Sequence, residues 1–224
     1  MNIYIVFFLS KNMNILKKIK RLVIPSSKII DEWFSINGDA TLREEYDLNK
    51  SSIIFDLGGY KGQWTSDMFS RYACKIYTFE PVKRFFLDIE KRFYRNDKID
   101  CFNFGLSNVS EKKSIFLSGD ASSLYGKGKK EIIKLQKFSE FIEDQKIKKI
   151  DLIKINIEGG EYELLDHIFQ KNLQDKINNF QIQFHRNVKN FKEKREKIQK
   201  ELIKTHKLTY NFPYVWENWE RKTV

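Results

Sequence analysis

The amino-acid sequence predicts an α/β protein built on a doubly wound, mostly parallel sheet. Short apolar runs typical of buried strands, at residues 53–57 and 75–79, each precede a segment whose apolar residues have helical spacing. A glycine-rich turn with Gly58, Gly59 and Gly62 joins the first strand to its helix. Strands that alternate with helices favour a parallel sheet with right-handed crossovers. A glycine turn at this point is the generic place for a nucleotide-type cofactor.

The remaining elements follow the same patterns along the chain. We expect helices at residues 65–72, 85–94, 138–143, 162–169 and 188–204. We expect further strands at residues 99–104, 151–157 and 180–184, a hairpin-like stretch at 113–117, and closing strands in the aromatic tail at 208–219. Lys154 lies inside one of these strands, and we expect it to reach the sheet edge or to pair with a carboxylate.

These patterns divide the chain into two regions. Residues 1–50 form a helical lead-in segment, and residues 51–224 form the domain that contains the sheet. In the lead-in segment, Trp33 and Phe34 are the expected packing anchors.

The extreme N-terminus contains two apolar patterns. Residues 15–24 have the spacing of a basic amphipathic helix, which either packs on the domain or lies on an anionic membrane surface. The apolar run at residues 3–9 is too short to span a membrane and lacks the flanks of a signal peptide. We therefore expect a cytoplasmic protein, and peripheral membrane contact stays open, as does the choice between Met1 and Met13 as the start.

Composition restricts the class of protein. The net charge of +11 favours acidic partners such as nucleic acid, anionic membranes or acidic glycans, although a general bias towards lysine explains it equally well. The contents of 41% hydrophobic and 15% aromatic residues argue against intrinsic disorder. Cys74 and Cys101 have the spacing of neither zinc ligands nor a disulfide framework. We expect both to be free thiols in a reducing compartment.

Polar side chains recur at the ends of the predicted strands, the edge at which doubly wound sheets bind ligands. These side chains are Asp56, Glu80, Asn103, Asn156, Glu158 and His185. Glu80 follows the glycine turn by roughly 20 positions, the offset at which a carboxylate reaches the ribose hydroxyls of a bound nucleotide. Asp56 would repel a pyrophosphate, which favours S-adenosylmethionine (SAM) over a dinucleotide. No Walker lysine follows the glycines, so a phosphate-binding P-loop is disfavoured.

Five sequence blocks together resemble the FkbM family of SAM-dependent methyltransferases. The blocks lie at residues 55–65, 77–81, 103–107, 121–124 and 151–161. The last block is the most diagnostic of them. The resemblance implies a Rossmann-like, class I methyltransferase fold with a seven-stranded sheet and, usually, O-methylation of sugars or natural products.

The resemblance also implies a SAM site. Asp56, Gly58 and Gly62 would contact the methionine part, Glu80 would bind the ribose, and Pro81 with Asn103 would lie on the adenine side. The full set of implied cofactor-binding residues is Asp56, Gly58, Gly59, Gly62, Thr65, Glu80, Pro81, Asn103 and Asn156. Asn156 stands where the family usually has aspartate, which removes one charge from the site, and we predict no metal there.

Methyl transfer to an alcohol needs a group that accepts the hydroxyl proton. His185 is the first candidate because histidine titrates near neutral pH, and Glu158 is the second. A purely structural hydrogen bond is an equal alternative for His185. Ser122, Ser123 and Glu161 are candidate substrate contacts, although a plain turn and a helix cap would explain them as well.

The expected activity is SAM-dependent O-methylation of a sugar hydroxyl in a bacterial surface glycan or a related small molecule, with an acidic or lipid-linked acceptor left open. A nucleic-acid methyltransferase is one alternative, disfavoured because neither an Asn/Asp-Pro-Pro-Tyr tetrapeptide nor an RNA-binding module is found, so we expect no nucleic-acid partner. A non-catalytic protein that binds the same cofactor and a dinucleotide oxidoreductase are the others. The acceptor and the oligomeric state are not predicted.

Overall fold

The structure is a computed structural model that describes residues 26–118, 121–123 and 129–223. The amphipathic helix predicted at residues 15–24 lies outside these residues. Within the described part of the chain, no helix is long and apolar enough to cross a membrane.

A seven-stranded sheet forms the centre of the molecule. The described strands, in chain order, are β1 (Ile53–Leu57), β2 (Lys75–Phe79), β3 (Ile99–Phe102), β4 (Gly105–Ser107), β5 (Glu111–Ser118), β6 (Ala121–Ser123), β7 (Lys129–Lys137), β8 (Leu152–Ile155), β9 (Asn179–Ile182), β10 (His206–Phe212) and β11 (Trp216–Arg221). The main sheet has the order β10-β11-β9-β8-β1-β2-β3. Its strands from β9 to β3 pair in parallel, whereas β11 runs antiparallel to β9 and β10. The predicted α/β class with a mostly parallel seven-stranded sheet is therefore confirmed.

Helices connect the parallel strands on both faces. They are α1 (Ser26–Ser35), α2 (Gln63–Tyr72), α3 (Lys83–Phe93), α4 (Phe138–Asp144), α5 (Glu161–Gln170) and α6 (Phe191–Thr205), with a short 3-10 helix at Leu173–Lys176. The strand predicted at 151–157 already ends at Ile155, so Asn156 and Glu158 belong to the turn that follows it. This turn brings both residues to the carboxyl edge of the sheet.

A second, four-stranded sheet has the order β4-β7-β5-β6. The hairpin-like stretch predicted at 113–117 lies in β5, which pairs antiparallel with β7. No strand was predicted at the position of β7. Its charged residues obscure the alternation in which Ile133 is buried and Ile132 is exposed.

Phenylalanine side chains fill the core behind the carboxyl ends of β1 to β3. The ring of Phe141, from α4, packs edge-on against Phe79 and Phe102, with centroid distances of 5.0 Å and 5.2 Å. Edge-to-face pairs of this kind stabilise a core beyond the area they bury. They give the strand ends a rigid support.

The lead-in segment docks on the far edge of the main sheet through Trp33. This residue is 1% exposed and packs against Tyr210 and Phe212, with ring centroids 6.1 Å and 5.1 Å away. Phe34 is 65% exposed, so its prediction as a second anchor was wrong. Adjacent residues of a helix point in different directions, and α1 can bury only one of the two.

Two histidines are buried away from the carboxyl edge of the sheet. His206 lies beyond the helix predicted at 188–204; α6 ends at Thr205, and His206 is the fully buried first residue of β10. His167 lies on α5 as expected and is buried. Cys74 and Cys101 are free thiols, as predicted.

Candidate active site

A cavity of about 500 Å³ opens at the carboxyl edge of the main sheet, where this kind of sheet binds ligands. Its apolar part lies against the second sheet and is lined by Phe79, Pro81, Phe85, Leu106, Ile115, Ile133 and Leu135. Its charged part lies against the lead-in segment and the start of α2 and is lined by Asp39, Arg43, Glu44, Gln63, Asp67 and Lys154. Asn156, Glu158 and Glu163 also line the cavity, beyond the end of β8.

The glycine turn has a conformation that larger residues cannot adopt. Gly58 has a φ of +81°, and a Cβ atom there would lie 2.0 Å from the carbonyl oxygen of Asn156. Gly62 has a φ of +74°, and a Cβ atom there would lie 2.8 Å from a phenylalanine ring. The N–H groups of Gly58 and Gly59 both donate to the Phe79 carbonyl, at 3.0 Å and 3.1 Å. The turn therefore brings its backbone to the cavity wall, which Gly58 and Gly59 line.

Behind this turn, Asp56 and Lys154 form a buried ion pair across the two central strands. They lie directly opposite each other in the register of β1 and β8. The Nζ of Lys154 donates to Oδ1 of Asp56 at 2.8 Å and to the carbonyl of Gly58 at 2.8 Å. Burial lowers the pKa of Lys154, and the charge of Asp56 opposes this effect. The predicted pairing of Lys154 with a carboxylate is thus present, and it fixes the first peptide of the turn.

Asp56 and Thr65 lie behind the cavity wall. Both are fully buried, and the Thr65 hydroxyl donates to Oδ2 of Asp56 at 2.6 Å. Lys154 lines the cavity in their place. The direct contact of Asp56 with the methionine part, implied by the resemblance, does not fit this geometry, because Asp56 instead orients Lys154 and the turn.

Glu80 follows β2 and presents a nearly buried carboxylate at the cavity. Its Oε2 accepts the N–H of Tyr60 at 2.8 Å, and its Oε1 accepts the N–H of Val82 at 2.9 Å. Burial raises the pKa of Glu80 to about 7, although the two N–H donors oppose this rise. Each oxygen keeps a further lone pair. Glu80 can therefore accept hydrogen bonds from two hydroxyl groups of a ligand.

Pro81 lines the cavity directly, whereas Asn103 holds it from outside. The Nδ2 of Asn103 donates to the carbonyl oxygens of Glu80 and Pro81, at 3.0 Å and 3.2 Å. Asn103 is not among the described residues that line the cavity. Its amide therefore fixes the turn after β2, and with it the position of Glu80.

A tight turn after β8 carries Glu158 to the cavity. Glu158 has a φ of +54°, in the left-handed region that residues other than glycine seldom occupy. The Nδ2 of Asn187 donates to its carbonyl at 3.0 Å and holds the turn. The Glu158 side chain lines the cavity and is 39% exposed. A carboxylate held at a cavity by a strained backbone is a candidate for chemistry.

His185 lies between two carboxylates. Its Nδ1 is 3.2 Å from Oε1 of Glu161, and its Nε2 is 3.6 Å from Oε1 of Glu158. Burial alone lowers the pKa of His185, but the hydrogen bonds and charges of Glu158 and Glu161 outweigh burial and raise the pKa to about 9. The ring is therefore protonated at neutral pH. A protonated imidazole donates from both nitrogens and has no lone pair with which to accept a proton.

Glu161 supports His185 from the protein interior. Its carboxylate is fully buried and also accepts the backbone N–H of His185 at 2.7 Å and that of Gly159 at 2.9 Å. It is not among the described residues that line the cavity. These contacts tie the turn before α5 to the residue that follows β9. They do not cap α5, whose N-cap Gly160 makes no side-chain capping hydrogen bond.

The remaining predicted site residues differ in whether they line the cavity. Asn156 lines the cavity, whereas Gly62 is not among the described lining residues. The backbone of Ser122 and Ser123 lies in β6, and their side chains lie outside the described part of the structure. Within the described ranges, no group of three or more His, Cys, Asp or Glu side chains is placed to hold a metal ion.

Sequence reasoning missed the cavity residues of the lead-in segment and of the second sheet. Those missed are Asp39, Arg43, Glu44, Lys113, Ile115, Ile133 and Leu135. The alternation within residues 131–135 could have indicated a strand, but nothing local places that strand beside the glycine turn. Arg43 reaches the cavity through tertiary contacts that no sequence pattern encodes.

The sheet order, the glycine turn after β1 and the acidic residue after β2 together define a Rossmann-like methyltransferase of class I. The chain matches the model of the methyltransferase FkbM domain over residues 56–212, more than half of its 224 residues. The protein therefore belongs to the FkbM methyltransferase family. None of the curated proteins compared with the chain matches it.

Solved structures have a similar fold. One of them is a protein from Streptococcus mutans, assigned as a methyltransferase and solved in complex with S-adenosylhomocysteine (SAH). It has a TM-score of 0.52 at 12% identity, over 84% of this chain and 97% of that chain. A protein from Clostridium thermocellum, assigned as an rRNA-methylase, has a TM-score of 0.49 at 9% identity, over 84% of this chain and 97% of that chain.

Membership of this family implies a cofactor of the SAM type, and the cavity has a fitting set of groups. The apolar part, with Pro81 and Leu106, suits a purine. Glu80 can accept two ribose hydroxyls, and the charged part carries groups of both signs, as an amino-acid moiety requires. The cavity residues that would hold SAM are Gly58 and Gly59 of the glycine turn, Glu80, Pro81 and Lys154.

Proposed function

We propose that the protein is a SAM-dependent O-methyltransferase that acts on a sugar hydroxyl of a bacterial surface glycan or a related small molecule. The observation that carries this proposal is Glu158, a carboxylate on a strained turn at the cavity that holds the implied cofactor-binding groups. SAM supplies an electrophilic methyl group when it is bound. A neutral alcohol reacts with such a group only if a base accepts its proton.

In this proposal Glu158 is the base, and His185 positions it. The protonated ring of His185 bridges Glu158 and the buried Glu161, so it fixes the Glu158 carboxylate at the cavity. The proton of the acceptor hydroxyl would move to Glu158 as the oxygen–carbon bond forms and the methyl–sulfur bond of the cofactor breaks, which leaves S-adenosylhomocysteine and protonated Glu158. This assignment reverses the sequence-based order of candidates, in which His185 stood first.

The second sheet supports an acidic acceptor. Lys113 of β5 lines the cavity, next to its cross-strand partner Ile133 on β7. A carboxylate or phosphate group of an acceptor bound there would be attracted to the charge of Lys113. The net charge of +11 acts in the same direction.

Glycan mass spectrometry tests the function. In a bacterium that carries this gene, deletion should remove the mass of one methylene group from a surface glycan or its precursor, and the wild-type gene should restore it. Glu158→Gln should not restore it, because loss of a general base slows turnover by roughly 10²- to 10⁴-fold. Glu163→Gln is the matched control, since Glu163 is a second carboxylate at the same cavity, and it should restore the mass.

Two results would count against this proposal. A glycan mass that is unchanged on deletion would contradict the acceptor class, and full restoration by Glu158→Gln would contradict the base. Binding of RNA whose affinity falls steeply with salt would instead favour the nucleic-acid alternative.

A further inference from the structure

We propose that Arg43, in the lead-in segment, binds the carboxylate of the amino-acid part of the cofactor. This inference rests on the proposed use of SAM. Arg43 lies outside the family-matched residues 56–212, so the family match assigns no role to it.

Arg43 lies among groups that suit an anion. It lines the charged part of the cavity together with Gln63, Trp64 and Lys154, and its charge is among those that lower the pKa of Lys154. Gln63 is the first residue of α2. A helix N-terminus offers unpaired N–H groups to an anion. Two cationic side chains and a helix start therefore meet in one place, which suits a carboxylate.

Arg43 is held rigidly for such a role. Its carbonyl accepts hydrogen bonds from Nε1 of Trp64 at 3.2 Å and from Nε2 of Gln181 at 2.9 Å. Its guanidinium lies over the ring of Trp216, 4.2 Å from the centroid. The side chain is only 16% exposed. An arginine that is fixed in this way loses little freedom when it binds a ligand.

The hydrogen bonds of the guanidinium are incomplete. Nη1 donates to Oδ1 of Asp39 at 2.7 Å, whereas the buried Nε has no hydrogen-bond partner among the described residues. A buried donor without an acceptor is unfavourable. The two oxygens of a carboxylate can accept hydrogen bonds from Nε–H and from a neighbouring guanidinium N–H in a bidentate pair. A bound carboxylate would therefore give Nε the acceptor that it lacks.

The opposite charges in the same part of the cavity complete the argument. Asp39, Glu44 and Asp67 line it beside Arg43 and Lys154. An amino-acid moiety carries both a carboxylate and an ammonium group. A mixed set of charges matches such a zwitterion better than it matches a purely anionic acceptor.

The test is calorimetric titration with two ligands that differ only in the carboxylate. These ligands are S-adenosylhomocysteine (SAH) and the amide of its carboxyl group. Arg43→Gln should weaken the binding of SAH by roughly 10- to 100-fold, the effect of a charge-assisted hydrogen bond. It should leave the affinity for the amide within about threefold. Arg71→Gln is the control. Arg71 lies on α2 and pairs with Glu44 of the lead-in segment, but it is not among the described cavity residues.

Each outcome has a distinct meaning. Equal weakening of both ligands, or unchanged binding of SAH, overturns the assignment of Arg43 alone. Absence of SAH binding by the wild-type protein overturns the proposed function as well. If Arg43→Gln does not fold, as judged by circular dichroism, Arg43→Lys replaces it. This variant keeps the charge but loses the planar fork, so it should weaken SAH and spare the amide.

Discussion

Replacing His185 with glutamine should flatten the alkaline side of the stability profile. A group whose pKa is higher in the folded protein stabilises the fold below its unfolded pKa, and this stabilisation is lost as the pH rises through the folded pKa. The pKa of His185 rises from 6.5 to about 9 on folding, because two carboxylates outweigh the effect of burial. The window is therefore pH 6.5 to 9, and the full effect corresponds to about 3 kcal/mol.

Urea unfolding followed by circular dichroism measures this effect. The difference in unfolding free energy between the wild type and His185→Gln should shrink by about 3 kcal/mol between roughly pH 6 and pH 9.5. Because all other groups titrate in both proteins, the difference isolates His185.

His167→Gln is the control for this experiment. Burial lowers the pKa of His167, so its contribution changes only below its ordinary value. The free-energy gap between the wild type and this control should stay constant over the window. A gap for His185→Gln that also stays constant would refute the bridged, protonated state of His185.

Three further predictions concern the cavity wall. Burial raises the pKa of Glu80 to about 7, so Glu80 ionises between pH 6 and pH 8 and can then accept hydrogen bonds from the ribose hydroxyls. The affinity for SAH should therefore rise by up to about tenfold over this range. Calorimetry should find no pH dependence for Glu80→Gln, and the same dependence in both proteins would contradict this role. Gly59→Ala would place Cβ 2.4 Å from Cγ2 of Thr78 and should destabilise the fold by about 1–3 kcal/mol. Adding Thr78→Ser should restore the melting temperature, whereas no rescue would exclude this clash as the cause. Lys154→Met leaves the buried Asp56 charge without its partner, so the free energy of unfolding measured with denaturant should fall by about 3–5 kcal/mol. A fall of less than about 1 kcal/mol would show that the ion pair is unimportant to stability.

The sequence predicted those features that local patterns encode. The apolar runs gave the central strands β1 and β2 with their observed bounds, since buried parallel strands are short and continuously apolar. The glycine turn and Glu80 were recognised because their spacing along the chain is itself part of the ligand-binding pattern. These features are determined within about 30 residues of each other.

Features that depend on distant contacts were predicted only in part. A carboxylate partner was expected for Lys154, but its identity was not, because Asp56 is 98 positions away and meets Lys154 only through the register of β1 and β8. The protonation of His185, which follows β9, depends on Glu158 and Glu161, which lie in the turn and the helix that follow β8. The place of Arg43 depends on Gln181, 138 positions away. A one-dimensional pattern contains no information on such pairings.

Titration of the wild-type protein with SAH and with NAD tests the central claim most directly. The account predicts stoichiometric binding of SAH with a matching rise in melting temperature. No binding of NAD is expected, because Asp39, Glu44 and Asp67 line the charged part of the cavity and would repel a pyrophosphate. Binding of NAD without binding of SAH, or absence of any SAH-dependent heat and thermal shift, would contradict the account.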